Sequence, residues 1–132
     1  MKKVLFILFA CGFLSFSHAQ IVTIPDANFK NYLLNHPGIN TNADNEIQVS
    51  EAFNFTDSIM CAGMQISDLT GIEAFENIVF LSCVNNQLNA LDVSNNIALQ
   101  SLICAMNDIT SLDVSANINL RNLRCSINPL QS

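Results

Sequence analysis

Four cysteines carry the first chemistry this chain offers: Cys61, Cys83, Cys104 and Cys125, separated by 22, 21 and 21 residues. Thiols can pair as disulfides, hold a soft metal, or pack as small hydrophobes. A zinc site lacks its ligands, since there is no Cys-x-x-Cys pair and the only histidine beyond residue 19 is His36. An even cysteine count in an exported chain ordinarily points to disulfides. The flanking residues point elsewhere. Each cysteine follows an apolar-x-x-apolar-x-Cys-x-x-Asn pattern, as in Ile78-Val79-Phe80-Leu81-Ser82-Cys83-Val84-Asn85-Asn86. Residues 81 and 83 share one face of a strand. Repetition then places equivalent strands about 4.8 Å apart in a parallel sheet. The cysteines form an inward column whose side chains point the same way, which suits a disulfide poorly. Reduced, buried core thiols are the expectation. A second set is a run of oxygen-bearing side chains, Asn40, Asn42, Asp44, Gln48 and Glu51, with Glu46 among them, whose chemistry is that of a hard cation.

The elements that must position these groups follow from the period. Leu81, Leu102 and Leu123 coincide when the chain is laid over itself at 21 residues, as do Leu88, Ile109 and Leu130. Leu91-Asp92-Val93-Ser94 likewise matches Leu112-Asp113-Val114-Ser115, and Asn96 and Leu99 match Asn117 and Leu120. A further copy with Ile59, Cys61 and Ile66 lies 22 residues upstream. A fixed period of this length marks a solenoid. Asn86, Asn107 and Asn128 fall where the chain leaves each strand, and a buried asparagine there can satisfy the backbone of its own and the adjacent rung. Met64 stands in that slot in the first rung, so the asparagine ladder starts at the second.

The ends set the compartment. Lys2 and Lys3 precede the apolar run Val4–Ala10, and Ser17-His18-Ala19 offers small residues for cleavage. We read residues 1–19 as a signal peptide cut after Ala19, the run being too short to span a membrane. A lipidated Cys11 is the competing reading, opposed by Phe9 and by the apolar continuation Gly12-Phe13-Leu14. Lys30, Arg121 and Arg124 then face eleven acids, a net of −8. Such a surface repels nucleic acid and anionic lipid.

The pattern Ile78-x-x-Leu81-x-Cys83-x-x-Asn86-x-Leu88, with its copies starting at Leu99 and Leu120, resembles the leucine-rich repeat. The 21–22-residue length is similar to the short bacterial type of internalin-like surface proteins, and Ser67–Phe75 is similar to a segment common between two such repeats. The resemblance covers roughly residues 56–132 and implies a β-rich, curved, right-handed solenoid. Its parallel sheet would line a concave face, with turns or short 3₁₀ segments on the convex side. Residues 20–55 would be a helical amino-terminal cap. There Asp26 can cap a helix carrying Phe29, Tyr32 and Leu33, which Pro37-Gly38 ends.

Internalin-like proteins carry a cap related to half an EF-hand pair, and Asn40–Glu51 has the form of a twelve-residue EF-hand loop. Asn40, Asn42, Asp44, Gln48 and Glu51 stand at ligand positions, Glu46 would offer its carbonyl, and Ile47 is the apolar plug. Position 1 is Asn40 rather than aspartate, and position 6 is Asn45 rather than glycine, a residue that tolerates the left-handed turn. With Asp44 and Glu51 alone supplying charge, any Ca²⁺ binding falls near the weak range of about 10⁻⁴–10⁻³ M. The other reading is a metal-free cap that keeps the loop as a shape.

Residues flanking the inward leucines and cysteines face the concave side. They are Ser58, Met60 and Ala62; Phe80, Ser82 and Val84; Ser101, Ile103 and Ala105; and Asn122, Arg124 and Ser126. Met60, Phe80, Val84 and Ile103 make an apolar stripe that marks an interaction site, with a protein or a surface glycan as partner. Catalysis finds no support: His36 is isolated, Glu73 and Glu76 lie in a linking turn, and neither a nucleophile–base pair nor a glycine-rich phosphate loop is present. The sequence stops at Ser132, part-way through a turn of the repeat, leaving Leu120, Leu123, Cys125 and Leu130 at an open edge. Two expectations follow: further repeats with a surface-sorting module in a longer protein, or self-association at that edge.

Overall fold

The computed structural model describes residues 20–131. The expected signal segment, with Cys11, lies outside the described residues. The chain opens with a short extended stretch in which Ile21 bridges Gln48 antiparallel. Val22 N donates to Ile47 O at 2.8 Å and Val49 N to Gln20 O at 2.7 Å, tying this stretch to the second helix of the cap. Helix α1 runs Ala27–Leu34 and α2 runs Val49–Asn54. Asp26 caps α1 by accepting from the amides of Asn28 and Phe29, both at 2.9 Å. At α2 the Glu51 carboxylate accepts from Gln48 N at 3.1 Å, one half of a capping box.

Four three-residue strands follow: β1 Ser58–Met60, β2 Phe80–Ser82, β3 Ser101–Ile103 and β4 Asn122–Arg124. They form one parallel sheet in chain order, with Ile59, Leu81, Leu102 and Leu123 in register. Parallel strands need a crossover connection. Here each crossover is the remainder of one repeat, mostly turns with a single 3₁₀ turn at Ile72–Ala74 in the first.

The repeat period becomes columns of buried side chains. Ile59, Leu81 and Leu102 are fully buried, as are Cys61, Cys83 and Cys104, Ile66, Leu88 and Ile109, and Ile78 and Leu99. Full burial of one such aliphatic side chain is worth about 1.5–3 kcal/mol, so the stack is held by its columns rather than by its short strands. The core continues into the cap through Phe29, Leu33, Ile39 and Ile47. At β4 it opens, and Leu123 is 41% exposed.

Side-chain hydrogen bonds join the cap to the first coil. Asp26 accepts from Ser67 N at 2.9 Å and Ser67 Oγ at 3.0 Å, Asn28 Nδ2 donates to Gln65 O, and Asn77 Nδ2 donates to Phe53 O. Burial pushes the Asp26 carboxyl upward, but the Phe29, Ser67 and Asn28 amides and the Ser67 hydroxyl outweigh it and hold it below its ordinary value. A backbone donor of the outer strand is covered as well: Met60 N donates to the Tyr32 hydroxyl at 2.9 Å.

Candidate functional site

On the solvent side of the sheet the side chains stand in columns set by the register. Ser58, Phe80, Ser101 and Asn122 form one, and Met60, Ser82, Ile103 and Arg124 the next. Met60 is 60% exposed, while Phe80, Ser82, Ser101 and Ile103 are half-buried because each covers its neighbours. Asn122 Nδ2 donates to Ser101 Oγ at 2.9 Å across β3 and β4. Val84, with Ala62, Ala105 and Ser126, lies beyond the strands, since each strand ends after three residues. The apolar members of the face are therefore Met60, Phe80, Ile103 and, at its margin, Val84. Arg124 is the one cation on it.

Behind this face stands the cysteine column. Cys61, Cys83, Cys104 and Cys125 are all free thiols, the first three buried and Cys125 half-buried. Burial pushes the Cys61 thiol up to about 12 and the Cys104 thiol up to about 11, and raises Cys83 as well. Buried and held toward the protonated form, these thiols pack as small hydrophobes. Asn86, Asn107 and Asn128 each link two coils. Asn86 Nδ2 donates to Cys61 O and Cys83 O, and its Oδ1 accepts from Met64 N and Ile66 N. Asn107 makes the same two donations between the Cys83 and Cys104 coils and accepts from Leu88 N, and Asn128 does so between those of Cys104 and Cys125 and accepts from Ile109 N.

Two features of the coils escaped the sequence reading. A second asparagine ladder lies on the opposite side of the core: Asn96 Nδ2 donates to Ile72 O and Phe75 O, and Asn117 Nδ2 to Val93 O and Asn96 O. The recurrence of Asn96 at Asn117 was its signal. The other is a column of left-handed residues where each strand turns away, Gly63, Asn85, Met106 and Ile127, with φ of 68, 56, 60 and 58°. Glycine and asparagine adopt this conformation readily, whereas a β-branched residue there is strained. Met106 and Ile127 are also exposed, at 48% and 70%.

The loop from Asn40 to Glu51 closes largely on its own donors. Asp44 accepts from Glu46 N, Asn42 Nδ2 and Gln48 Nε2. Glu51 accepts from Thr41 N, Thr41 Oγ1, Asn42 N and Gln48 N. The Glu46 side chain pairs with Lys30 Nζ at 2.7 Å. Asn40 Nδ2 holds Leu34 O and Asp44 O, while its buried Oδ1 has no partner among the described residues. The left-handed residue of the loop is Ala43, with φ 56°, and not Asn45, where the EF-hand comparison put it. The Asn42–Asp44 turn, in which Asn42 Oδ1 accepts from Asp44 N, accounts for that shift. Asp44 and Glu51, the two charged positions of the EF-hand comparison, thus both accept from donors of the loop itself, and Asn40 Oδ1 is a buried side-chain oxygen left without a partner there.

Four further acids are held in turns. Asp68, Asp92 and Asp113 accept from the amides of Thr70, Ser94 and Ser115, and Glu73 from that of Gly71. His36 accepts from Gly38 N through Nδ1 and packs edge-on against Phe55, ring centroids 5.3 Å apart. Among the described residues no three His, Cys, Asp or Glu side chains gather in a metal-holding group, and no helix is long and apolar enough to cross a membrane.

No protein-family model matches the chain, and no curated protein does. Solved structures do. The functional domain of InlJ from Listeria monocytogenes, which includes a cysteine ladder, superposes with a TM-score of 0.66 at 27% identity over 86% of this chain. An internalin, inlF, from the same species superposes with a TM-score of 0.69 at 26% identity over 83% of it. The chain spans only 26% and 32% of the lengths of those two structures. In its repeats and its parallel ladder, the chain is similar to the internalins, which are leucine-rich-repeat proteins.

Proposed function

We propose that this chain is an exported, cell-surface or secreted module that binds another protein through the solvent side of its sheet and carries out no catalysis. The observation that carries the reading is the apolar set Met60, Phe80 and Ile103 standing on a face otherwise made of serine, asparagine and arginine. Contiguous apolar side chains on a wetted surface mark contact sites, and methionine, aromatic and arginine side chains are enriched at interface centres. Met106 and Ile127 extend the set past the strand ends. Both keep apolar side chains exposed at left-handed positions where glycine or asparagine would cost less, and local strain of that kind gathers at functional surfaces. A neutral surface glycan on the same face fits less well, because Met60, Phe80 and Ile103 offer it no hydrogen-bonding side chain and Ser101 is already engaged by Asn122.

The test is affinity capture of extracellular or cell-surface protein with the intact chain, alongside the double variant Phe80→Asp, Ile103→Asp and a control, Asn119→Asp, in an exposed turn. Burying an uncompensated charge at an interface centre weakens binding by tenfold or more. We expect capture by the wild type and the control and its loss in the double variant. Equal capture by all three would discard the face, and a concentration-dependent mass without a foreign partner would replace the reading by self-association.

The alternative of a calcium-stabilised structural segment has one observation in its favour, the unpartnered Asn40 Oδ1 at the head of the loop. Against it stand the donors already held by Asp44 and Glu51. We therefore expect the cap to keep its shape without metal. Its melting temperature should be the same in chelator and in millimolar calcium, because a ligand stabilises only by binding the folded state. A rise with calcium that Glu51→Gln abolishes would establish the site instead.

A further inference from the structure

A cleft of about 540 Å³ lies on the cap between the outer face of α1 and the turn that follows β1, beside Met60 but clear of Phe80 and Ile103. Three asparagines line it from the helix, Asn28, Asn31 and Asn35, spaced so that they share one face. Tyr32 and His36 form its aromatic wall, and Met64 stands opposite. The lining has no lysine, arginine, aspartate or glutamate, although the described residues carry eleven acids. An uncharged cleft in so acidic a chain is selective in itself. It offers an anion no cation, and a metal no carboxylate.

Its hydrogen-bonding capacity is only partly used. Asn28 Nδ2 is held by Gln65 O at 3.2 Å, leaving its Oδ1 outward. Asn35 Nδ2 donates to Asn31 O and Asn31 Oδ1, at 2.8 and 3.0 Å, so the Asn31 amide nitrogen and the Asn35 amide oxygen have no partner among the described residues. The Tyr32 hydroxyl accepts from Met60 N, which leaves its own hydrogen free to donate. His36 accepts from Gly38 N at Nδ1, which leaves Nε2 for a ligand. Donors and acceptors thus alternate along the cleft on side chains whose positions are already fixed by these bonds.

The aromatic wall is fixed too. Tyr32 and His36 have ring centroids 6.0 Å apart with planes inclined at 57°, and His36 is braced by Phe55, itself buried. A ring face beside alternating amide donors and acceptors complements a molecule with an apolar C–H face and a rim of vicinal hydroxyls. An extended peptide fits worse. The α1 backbone is spent within the helix and its caps, so the cleft supplies no strand edge for a peptide's own N–H and C=O groups.

We propose that this cleft binds a neutral saccharide of one or two sugar units, independently of the protein-binding face. The volume lies within the range of about 300–1,000 Å³ usual for small-ligand sites. The Asn31 and Asn35 amides would bridge adjacent hydroxyls, Asn28 Oδ1 would accept a third, and the Tyr32 ring would pack on the C–H face. The cleft is open to solvent along α1, so the affinity is set at the millimolar level typical of a few exposed hydrogen bonds.

The test is two-dimensional amide NMR of the intact, ¹⁵N-labelled chain titrated with cellobiose, maltose, lactose and N,N′-diacetylchitobiose, with 3′-sialyllactose as the anionic comparison. At least one neutral disaccharide should shift amides within residues 28–36 and at Met64 while leaving β3 and β4 unmoved. The Asn31→Ala variant, which removes an exposed side chain from a helix that alanine favours, should fold as the wild type and bind that sugar about tenfold more weakly. The Phe80→Asp, Ile103→Asp double variant should bind it unchanged, which separates this site from the sheet face. No shift with any neutral sugar overturns the proposal. So do shifts centred elsewhere, a response to sialyllactose alone, or an affinity that Asn31→Ala leaves unaltered.

Discussion

Asn107→Ala is expected to lower the unfolding free energy by about 3–5 kcal/mol, the cost of stranding several buried backbone groups at once. Asn107 is 7% exposed. Its Nδ2 donates to Cys83 O at 3.0 Å, Cys104 O at 3.1 Å and Ala105 O at 3.3 Å, and its Oδ1 accepts from Leu88 N at 3.1 Å. Each orphaned group costs about 1–3 kcal/mol if no water reaches it, and some relaxation keeps the sum below the simple total. The site lies in the middle of a stack where each coil touches only its neighbours, so the damage falls on the interface between two coils. Asn128→Ala should cost about 1 kcal/mol, because its coil is half-exposed and water can replace the amide. Asn89→Ala, at an exposed position with no side-chain bond among the described residues, should stay within about 0.5 kcal/mol of the wild type. Urea unfolding followed by circular dichroism ranks the three. If Asn107→Ala unfolds no earlier than Asn89→Ala, the asparagines do not hold the coils together.

That ranking depends on a distinction the repeat pattern carries only in part. The columns Ile59–Leu81–Leu102 and Cys61–Cys83–Cys104 were legible because the same kind of residue returns at the same interval, and a parallel sheet turns sequence period into spatial stacking. Asn86, Asn107 and Asn128 were legible for the same reason. The left-handed column was not, since Gly63, Asn85, Met106 and Ile127 share a backbone conformation but no chemistry. Residue type signals a positive φ only where the chain relieves the strain with glycine or asparagine, and here two coils do not.

The cap shows a second kind of limit. Asp26 was readable as a helix cap from its place before an apolar helical pattern. Its grip on Ser67 was not, because a contact between residues 41 apart leaves no mark in local spacing. In the loop, oxygen side chains at alternate positions fit both a cation and one another. Local spacing does not say which donors Asp44 and Glu51 meet; in the structure both accept from amides of their own loop. The asparagine cleft was hidden for a similar reason, for it exists only once α1 faces the turn holding Met64. On the sheet, period-two alternation was enough to put Met60, Phe80, Ile103 and Arg124 outside. It could not show that strands of three residues would leave Val84 beyond them.

Gly71→Ala should be the most damaging single-methyl change in the chain, lowering stability by about 2–4 kcal/mol. Gly71 has φ +105° and ψ −18°, a conformation that disfavours any side chain. A Cβ there would stand 2.7 Å from Ile24 Cγ1, 3.0 Å from Thr23 O and 3.2 Å from Val22 Cγ1. The Thr23 carbonyl cannot simply retreat, because Val22 N is bound to Ile47 O on one side and Ile24 is buried on the other. Conformational strain of about 1–2 kcal/mol therefore adds to the cost of overpacking the seam between cap and first coil. Gly63→Ala separates the two contributions. Its φ is +68°, but the nearest atom to a new Cβ is Asn85 Nδ2 at 3.8 Å, so it should cost only the strain, about 1 kcal/mol. Amide exchange locates the excess: in Gly71→Ala the Val22 and Val49 amides should lose protection while Cys83 and Cys104 keep theirs. Equal destabilisation by the two alanines would mean that the extended stretch before α1 does not pack against Gly71, and that the first coil is covered by α1 and α2 alone.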